Sequence, residues 1–234
     1  MPIMKDKLFT RDNKLSDLIM ARPVVLEMLP RMGISLGFGD KTIGQVCQQS
    51  NVDPDFFLLI CNVYHVDKYD PTPSELKDIN MTQLVPYLVQ SHKYYLEKRL
   101  PHISHHLGLI AEQLSQPVAA VLLRFYEQYT NEITQHFRIE EELVFPHITA
   151  LQAGRRDSKR MVKYKEAHND INNKLDDLLQ ILFKYLPANA GGDETMDVVH
   201  DILQLSLDLR KHTLIEEKIL FPLVRTLEKN ENAR

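Results

Sequence analysis

Residues 136–148 read HFRIEEELVFPHI, and residues 212–224 read HTLIEEKILFPLV. His, Ile, Glu, Glu, Phe and Pro recur in register, and each string carries His-x-x-x-Glu: His136 with Glu140, His212 with Glu216. Residues four apart lie on one helical face, one turn from each other, so an imidazole nitrogen and a carboxylate oxygen can converge on one metal ion. In a chain with ten histidines a single such pair carries little weight. Two pairs, each followed at the same offset by Phe-Pro, are not easily accidental. A duplicated helix with solvated His and Glu is the plainer reading, but position argues against it. His136 and Glu140 share a face with Ile133, Phe137 and Leu143, and His212 and Glu216 share one with Leu205, Leu209 and Ile219. These faces look core-directed, and a carboxylate buried there must be ionically paired or bound to metal. The two strings by themselves leave both readings open.

Apolar residues at helical spacing continue outward from both strings, and no alternating run bounded by turns suggests a strand. The chain is therefore expected to be all-α. Four long helices are predicted at roughly 81–114, 117–151, 158–186 and 194–228, separated by Gln116-Pro117, by the turn around Gly154, and by residues 187–193. Short turns force antiparallel neighbours, which makes an up-down-up-down four-helix bundle. Pro86 and Pro101 fall inside the first helix and are expected to kink or split it. Upstream, short helices are expected: Pro23 opens a segment through Leu29 that Gly33 stops, Thr42 caps a helix with Ile43 and Val46, and Asp53-Pro54 opens the apolar run Phe56 to Tyr64. DKYDPTPSELKD, residues 67–78, reads as a linker. The expected organisation is a small N-terminal helical domain at 1–67, a linker at 68–80 and the bundle at 81–234.

The remaining two long helices offer His92, among Leu88, Tyr95 and Leu96, and His168, among Met161, Tyr164, Ile171 and Leu175. A lone His on an apolar face is more often a hydrogen-bonded core residue than a ligand, so height decides. From the turn near 116, His92 and His136 lie 24 and 20 residues away; from the turn near 155, His136 and His168 lie 19 and 13 away; from the turn near 190, His168 and His212 each lie 22 away. At about 1.5 Å per residue the mismatches are of order 0–9 Å, which kinks and unequal turns absorb. All four helices thus bring a donor to one level. Four imidazoles and two carboxylates suit two metal ions with each Glu bridging, and nitrogen with hard oxygen favours iron, manganese or zinc being acceptable in vitro. Cys47 and Cys61 are the only cysteines and are not spaced as a metal knuckle, so a Cys-rich structural zinc site is excluded.

Composition narrows the class further. The 234 residues carry a net charge of −4, which excludes a wholesale basic surface for nucleic acid or an acidic membrane. No run of about 18 apolar residues is present, so no membrane span is expected. The first residues, MPIMKDKLFTRDNK, lack the apolar run of a signal peptide, and two thiols without an export signal read as reduced cytoplasmic cysteines. Arg155, Arg156, Lys159, Arg160, Lys163 and Lys165 cluster at the start of the third helix without aromatic interleaving, and read as a solvated turn rather than a nucleic-acid site.

SHKYYLEKRLP around His92, HFRIEEELVFP at His136, EAHNDI at His168 and HTLIEEKILFP at His212 together resemble a hemerythrin-like di-iron domain in the arrangement of the repair-of-iron-centres family. The resemblance extends over nearly the whole chain. It implies a small helical domain joined to a hemerythrin-like bundle, and iron ligands at His92, His136, Glu140, His168, His212 and Glu216. His102, His105 and His106, farther along the first helix, are the alternatives to His92. The cofactor implied is a pair of iron ions, oxo-bridged. Oxygen-carrying hemerythrins usually have a second His one turn after the third-helix ligand; Asn172 stands there, which implies a position open to a diatomic ligand or to iron loss. Glu132 matches a further acidic position of the family, with a role beside the iron or along its path; a solvated helix Glu is the equal alternative. The N-terminal stretch LSDLIMARPVVLEMLPRMGISLGFGDKTIGQVCQQS also resembles the family, but the cysteine pair expected after Gly33-Ile34 is absent, and Ser35-Leu36-Gly37-Phe38-Gly39 follows instead. Thiol chemistry on this domain is thereby in doubt, and Cys47 and Cys61 read as inert core residues.

The function implied is that of a cytoplasmic di-iron protein of the nitrosative and oxidative stress response. It would supply iron to, or repair, damaged iron–sulfur centres, or capture nitric oxide. The alternative is an oxygen or nitric oxide sensor whose centre controls docking of the N-terminal domain. The partners implied are a diatomic gas and apo or damaged iron–sulfur proteins, with no nucleic acid and no membrane; a homodimer is left open. No acid–base or nucleophile set stands apart from the metal donors, so the reading leans away from an enzyme, with oxidase or peroxidase turnover unsupported.

Overall fold

The computed structural model describes residues 9–66, 69–77, 79, 81–155, 167–187 and 192–232, with side-chain positions for all of these but 81, 167–170 and 230–232. Among the described residues the regular elements are helical, and β pairing is confined to an isolated bridge between Lys14 and Thr42. The all-α expectation holds. The chain divides into two units, Met1–Ser91 with Leu214–Thr226, and His92–Thr213 with Leu227–Arg234.

The first unit contains α1 (Leu15–Ala21), α2 (Ile43–Gln49), α3 (Pro54–His65), α4 (Pro73–Lys77) and most of α5 (Met81–Tyr94). Their starts follow from local chemistry. Thr42 Oγ1 accepts from the Gln45 amide at 3.3 Å while Gln45 Oε1 accepts from the Thr42 amide at 3.0 Å, a reciprocal cap on α2. Asp53 accepts from the Asp55 and Phe56 amides, and Pro54 fills the first turn of α3, where its missing N–H costs nothing. The stretch read as a linker holds α4, capped by Thr72 Oγ1 on the Glu75 amide at 3.2 Å. The segment opened by Pro23 is not the helix through Leu29 that its spacing predicts. It is two 3₁₀ turns, Pro23–Glu27 and Pro30–Met32, because Pro30 has no N–H to continue an α-helix and the β-branched Val24-Val25 favour helix weakly. Gly33 stops it with φ 71°, the left-handed conformation glycine adopts without strain. Leu15, Leu18, Val25, Met28, Phe56, Phe57 and Ile60 form the buried interior with Cys47 and Cys61. Pro86 does not split α5, which stays helical through it.

The second unit is built on α6 (Leu100–Ala111), α7 (Gln116–Ile139), α8 (Phe145–Gln152), α9 (described from Ala167 to Tyr185) and α10 (Gly192–Ile215), and the chain ends in α11 (Phe221–Asn232). α6, α7, α9 and α10 enclose one core that includes Leu107, Ile110, Leu122, Tyr129, Ile133, Leu175, Leu178, Ile202 and Leu205. The apolar stripes recur every three to four residues on each helix, and burying four such stripes against one another is what makes the bundle. Residues 158–166 of the predicted third helix lie outside the described residues, as does most of the basic cluster at 155–165.

Three of the long rods are interrupted in the same way. Tyr95–Arg99, Glu140–Val144 and Glu216–Leu220 are π-helical turns, each closed by an amide bonding five residues back: Leu100 to Tyr95, Phe145 to Glu140, Phe221 to Glu216. The second residue after each is a proline, Pro101, Pro146 or Pro222. A proline inside an α-helix removes one hydrogen bond and drives its ring against the carbonyl four residues back. One extra residue in the preceding turn relieves both problems, and such π turns gather at functional sites. The break expected at Pro101 therefore takes the form of a widened turn, and the Phe-Pro of the two repeated strings is its sequence signature.

Candidate metal centre

His92 on α5, His136 on α7, Glu140 at the head of the second π turn and His212 on α10 meet in the buried interior, at 0%, 8%, 2% and 3% exposure. His92 Nε2 lies 3.2 Å from His212 Nε2 and 3.3 Å from Glu140 Oε2, and the other Glu140 oxygen, Oε1, lies 3.2 Å from His136 Nε2. His92, Glu140 and His212 each offer a ligand atom within 4.8 Å of the others. Glu216, 1% exposed, heads the third π turn one helical turn after His212 on the same continuous rod. Two ligands about 2.1 Å from one ion and about 90–110° apart sit about 3.0–3.4 Å from each other. The observed separations match, and the borderline nitrogen and hard oxygen donors are those iron accepts. The residues present fit a metal centre.

Neighbouring side chains hold the donors. Glu141 Oε1 accepts from His92 Nδ1 at 2.9 Å, which leaves the Nε2 lone pair facing His212 and Glu140. The His92 ring stacks on Phe137, with centroids 4.0 Å apart and planes 11° apart, and on Phe145 at 5.6 Å. Tyr95 and Phe137 present edges to His212 at 5.7 and 5.9 Å. Sequence reading missed Glu141. The signal is the doubled Glu of the repeated string, whose first member points inward while the second, 41% exposed, reaches back to the first helix.

The first-helix donor beside His212 and Glu140 is His92; His102 and His106 lie in a separate group with Asp201. Asn172 is 8% exposed and donates from Nδ2 to Thr213 Oγ1 at 3.4 Å, next in sequence to His212. Glu132 is at the surface in an ion pair with Lys174, in keeping with a solvated helix Glu. The His168 side chain lies outside the described residues. Cys47 and Cys61 are buried free thiols, and burial pushes the Cys47 thiol up to about 12. Neither supplies a thiolate near neutral pH, consistent with inert core residues.

The description of the hemerythrin HHE cation-binding domain matches residues 84–224, a span that runs from before His92 to beyond Glu216. The chain belongs to the hemerythrin family. Over 217 residues this hemerythrin is 22% identical to a protein of Musicola paradisiaca (strain Ech703) named iron-sulfur cluster repair protein YtfE; the match covers 91% of this chain and 96% of the relative. The repair-of-iron-centres resemblance thus extends through the N-terminal segment as well as the bundle. A hemerythrin HHE domain binds metal cations, and the buried His and Glu donors stand inside the matched span. Among the described residues no helix is long and apolar enough to cross a membrane.

Proposed function

We propose that this hemerythrin holds two iron ions through His92, His136, Glu140, His168, His212 and Glu216, and supplies iron to damaged iron–sulfur centres. The observation that carries the reading is the Glu140 carboxylate, whose two oxygens face different imidazoles, Oε2 toward His92 at 3.3 Å and Oε1 toward His136 at 3.2 Å. A carboxylate divided in this way suits two ions side by side rather than one. The relative's name, an iron-sulfur cluster repair protein, supports the client class. Bound ferrous iron would supply an exchangeable cation with a position open to a diatomic ligand. The chain's own part is to orient the donors, through Glu141 on His92 and the rings of Phe137 and Tyr95, and to line the third-helix position with Asn172, a weaker donor than imidazole. Because Cys47 is buried with its thiol pushed up to about 12, hand-over by a thiolate of the N-terminal segment has no support.

Anaerobic reconstitution followed by gel filtration should leave about two tightly held irons per chain. His136→Ala and Glu216→Gln should each lower iron content, and unchanged iron in both variants would overturn the ligand assignment. Incubation of the loaded chain with an apo iron–sulfur protein separates repair from sensing. Iron transfer supports supply. Tight retention, with nitric oxide or oxygen changing the exposure of the N-terminal segment to protease, supports the sensor reading instead, which the missing cysteine pair favours.

A further inference from the structure

The ten histidines are not all spent on the buried centre. His102 and His106 stand one turn apart on α6, and Asp201 faces them from α10; one ligand atom from each lies within 4.8 Å of the other two. His102 Nε2 is 3.0 Å from Asp201 Oδ2, and the two imidazole rings are 4.5 Å apart. His102 follows His92 by ten residues and Asp201 precedes His212 by eleven, so the cluster lies about 15 Å along the bundle from the buried centre.

Two further side chains set the orientation of these donors. Glu194 Oε2 lies 2.6 Å from His106 Nδ1. Donation of that N–H to the carboxylate fixes the tautomer and leaves the Nε2 lone pair available, the arrangement that supports a metal-bound histidine. Arg99 donates to Asp201 Oδ1 at 3.2 Å and to the Asp201 carbonyl at 3.3 Å, which fixes the carboxylate with Oδ2 turned to His102. The Arg99 charge opposes a cation, but Asp201 and Glu194 together outweigh it. The side chains of His106 and Asp201 are 17% and 16% exposed and that of His102 is 52% exposed, so the donors are held in place yet open to exchange.

We propose that His102, His106 and Asp201 form a second cation site on the bundle surface, for one divalent transition ion of borderline softness such as ferrous iron, zinc or cobalt, with Glu194 positioning His106. Two imidazoles and one carboxylate with the remaining positions open are a ligand set for ions of this kind. The competing account is an ion-pair network in which the imidazoles are charged and no metal binds.

Cobalt(II) titration of the full chain at neutral pH, followed by its visible absorption, separates the two. The wild-type chain should bind one more cobalt ion than the His102→Gln/His106→Gln double variant. Glu194→Gln should keep that ion but weaken it about 10–100-fold. His212→Gln, which alters the buried centre, should leave the surface ion in place, so failure of this site and failure of the buried one read differently. Equal cobalt stoichiometry and affinity in wild type and double variant would leave the ion-pair network alone. If the double variant melts early, His102→Gln by itself, at a half-exposed position, carries the same comparison, with at least a tenfold loss expected.

Discussion

Tyr126 and Tyr129 lie one turn apart on α7, and both are buried. The Tyr126 hydroxyl donates to the Leu100 carbonyl at 2.8 Å, whereas the Tyr129 hydroxyl has no hydrogen-bond partner among the described residues. An unmade buried hydrogen bond is costly, and a made one contributes modestly. Tyr126→Phe should therefore destabilise the chain by about 1 kcal/mol, while Tyr129→Phe should be neutral or stabilising by about 1 kcal/mol, measured by denaturant unfolding. Equal losses in both would show that Tyr129 has a partner after all. Legibility at this scale was uneven. Donor type, helical spacing and repetition mark His136, Glu140, His212 and Glu216 in the text, whereas His92 is marked only by its height along the first helix. Glu141 was not, because its partner His92 comes from another helix and pairwise placement is invisible along one strand of text. His102 and His106 were noticed only as substitutes for His92; their meeting with Asp201 depends on how α6 and α10 face each other.

Among the elements, the π turns were the least legible. Helical periodicity runs through them, and a proline predicts a kink without saying that one extra residue will be inserted. The insertion has a function that can be tested at Pro146, inside the second unit. Pro146→Ala restores an amide donor worth about 0.5–1.5 kcal/mol and removes the clash that favours the wide turn. If Glu140–Val144 relaxes to α-helix, residues beyond it rotate by about 100° relative to His136. Phe145 then loses its register with His92. The expected outcome is a variant whose metal-free melting temperature is unchanged or higher and whose iron content falls. Iron content equal to wild type would show that the turn is held open by something other than proline.

At the scale of the whole molecule, the helical class and the four-helix core were legible because burial imposes a period of 3.6 residues on each segment. Sequence could not anticipate a division that includes Leu214–Thr226 with Met1–Ser91, since it cuts through helices whose periodicity is unbroken. The burial of His92, Glu140, His212 and Glu216, all at 3% exposure or less, also ties the stability of the molecule to metal. A ligand at one hundred times its dissociation constant stabilises the folded state by about 2.7 kcal/mol. For a chain of this size that corresponds to about 5–10 °C. Chelation of the bound metal should lower the melting temperature by about that amount, and restoring the metal should recover it. A melt indifferent to chelator would mean that the four donors are satisfied by one another.

His92 precedes its proline by nine residues, whereas His136 and His212 precede theirs by ten. The three widened turns are each five residues long and start six residues before their prolines, so the difference lies upstream, in the three residues from His92 to its turn against four from His136 and His212. The wide turn is thus tied to the proline and not to the imidazole. A donor can change its place along the helix while the turn stays where the proline puts it.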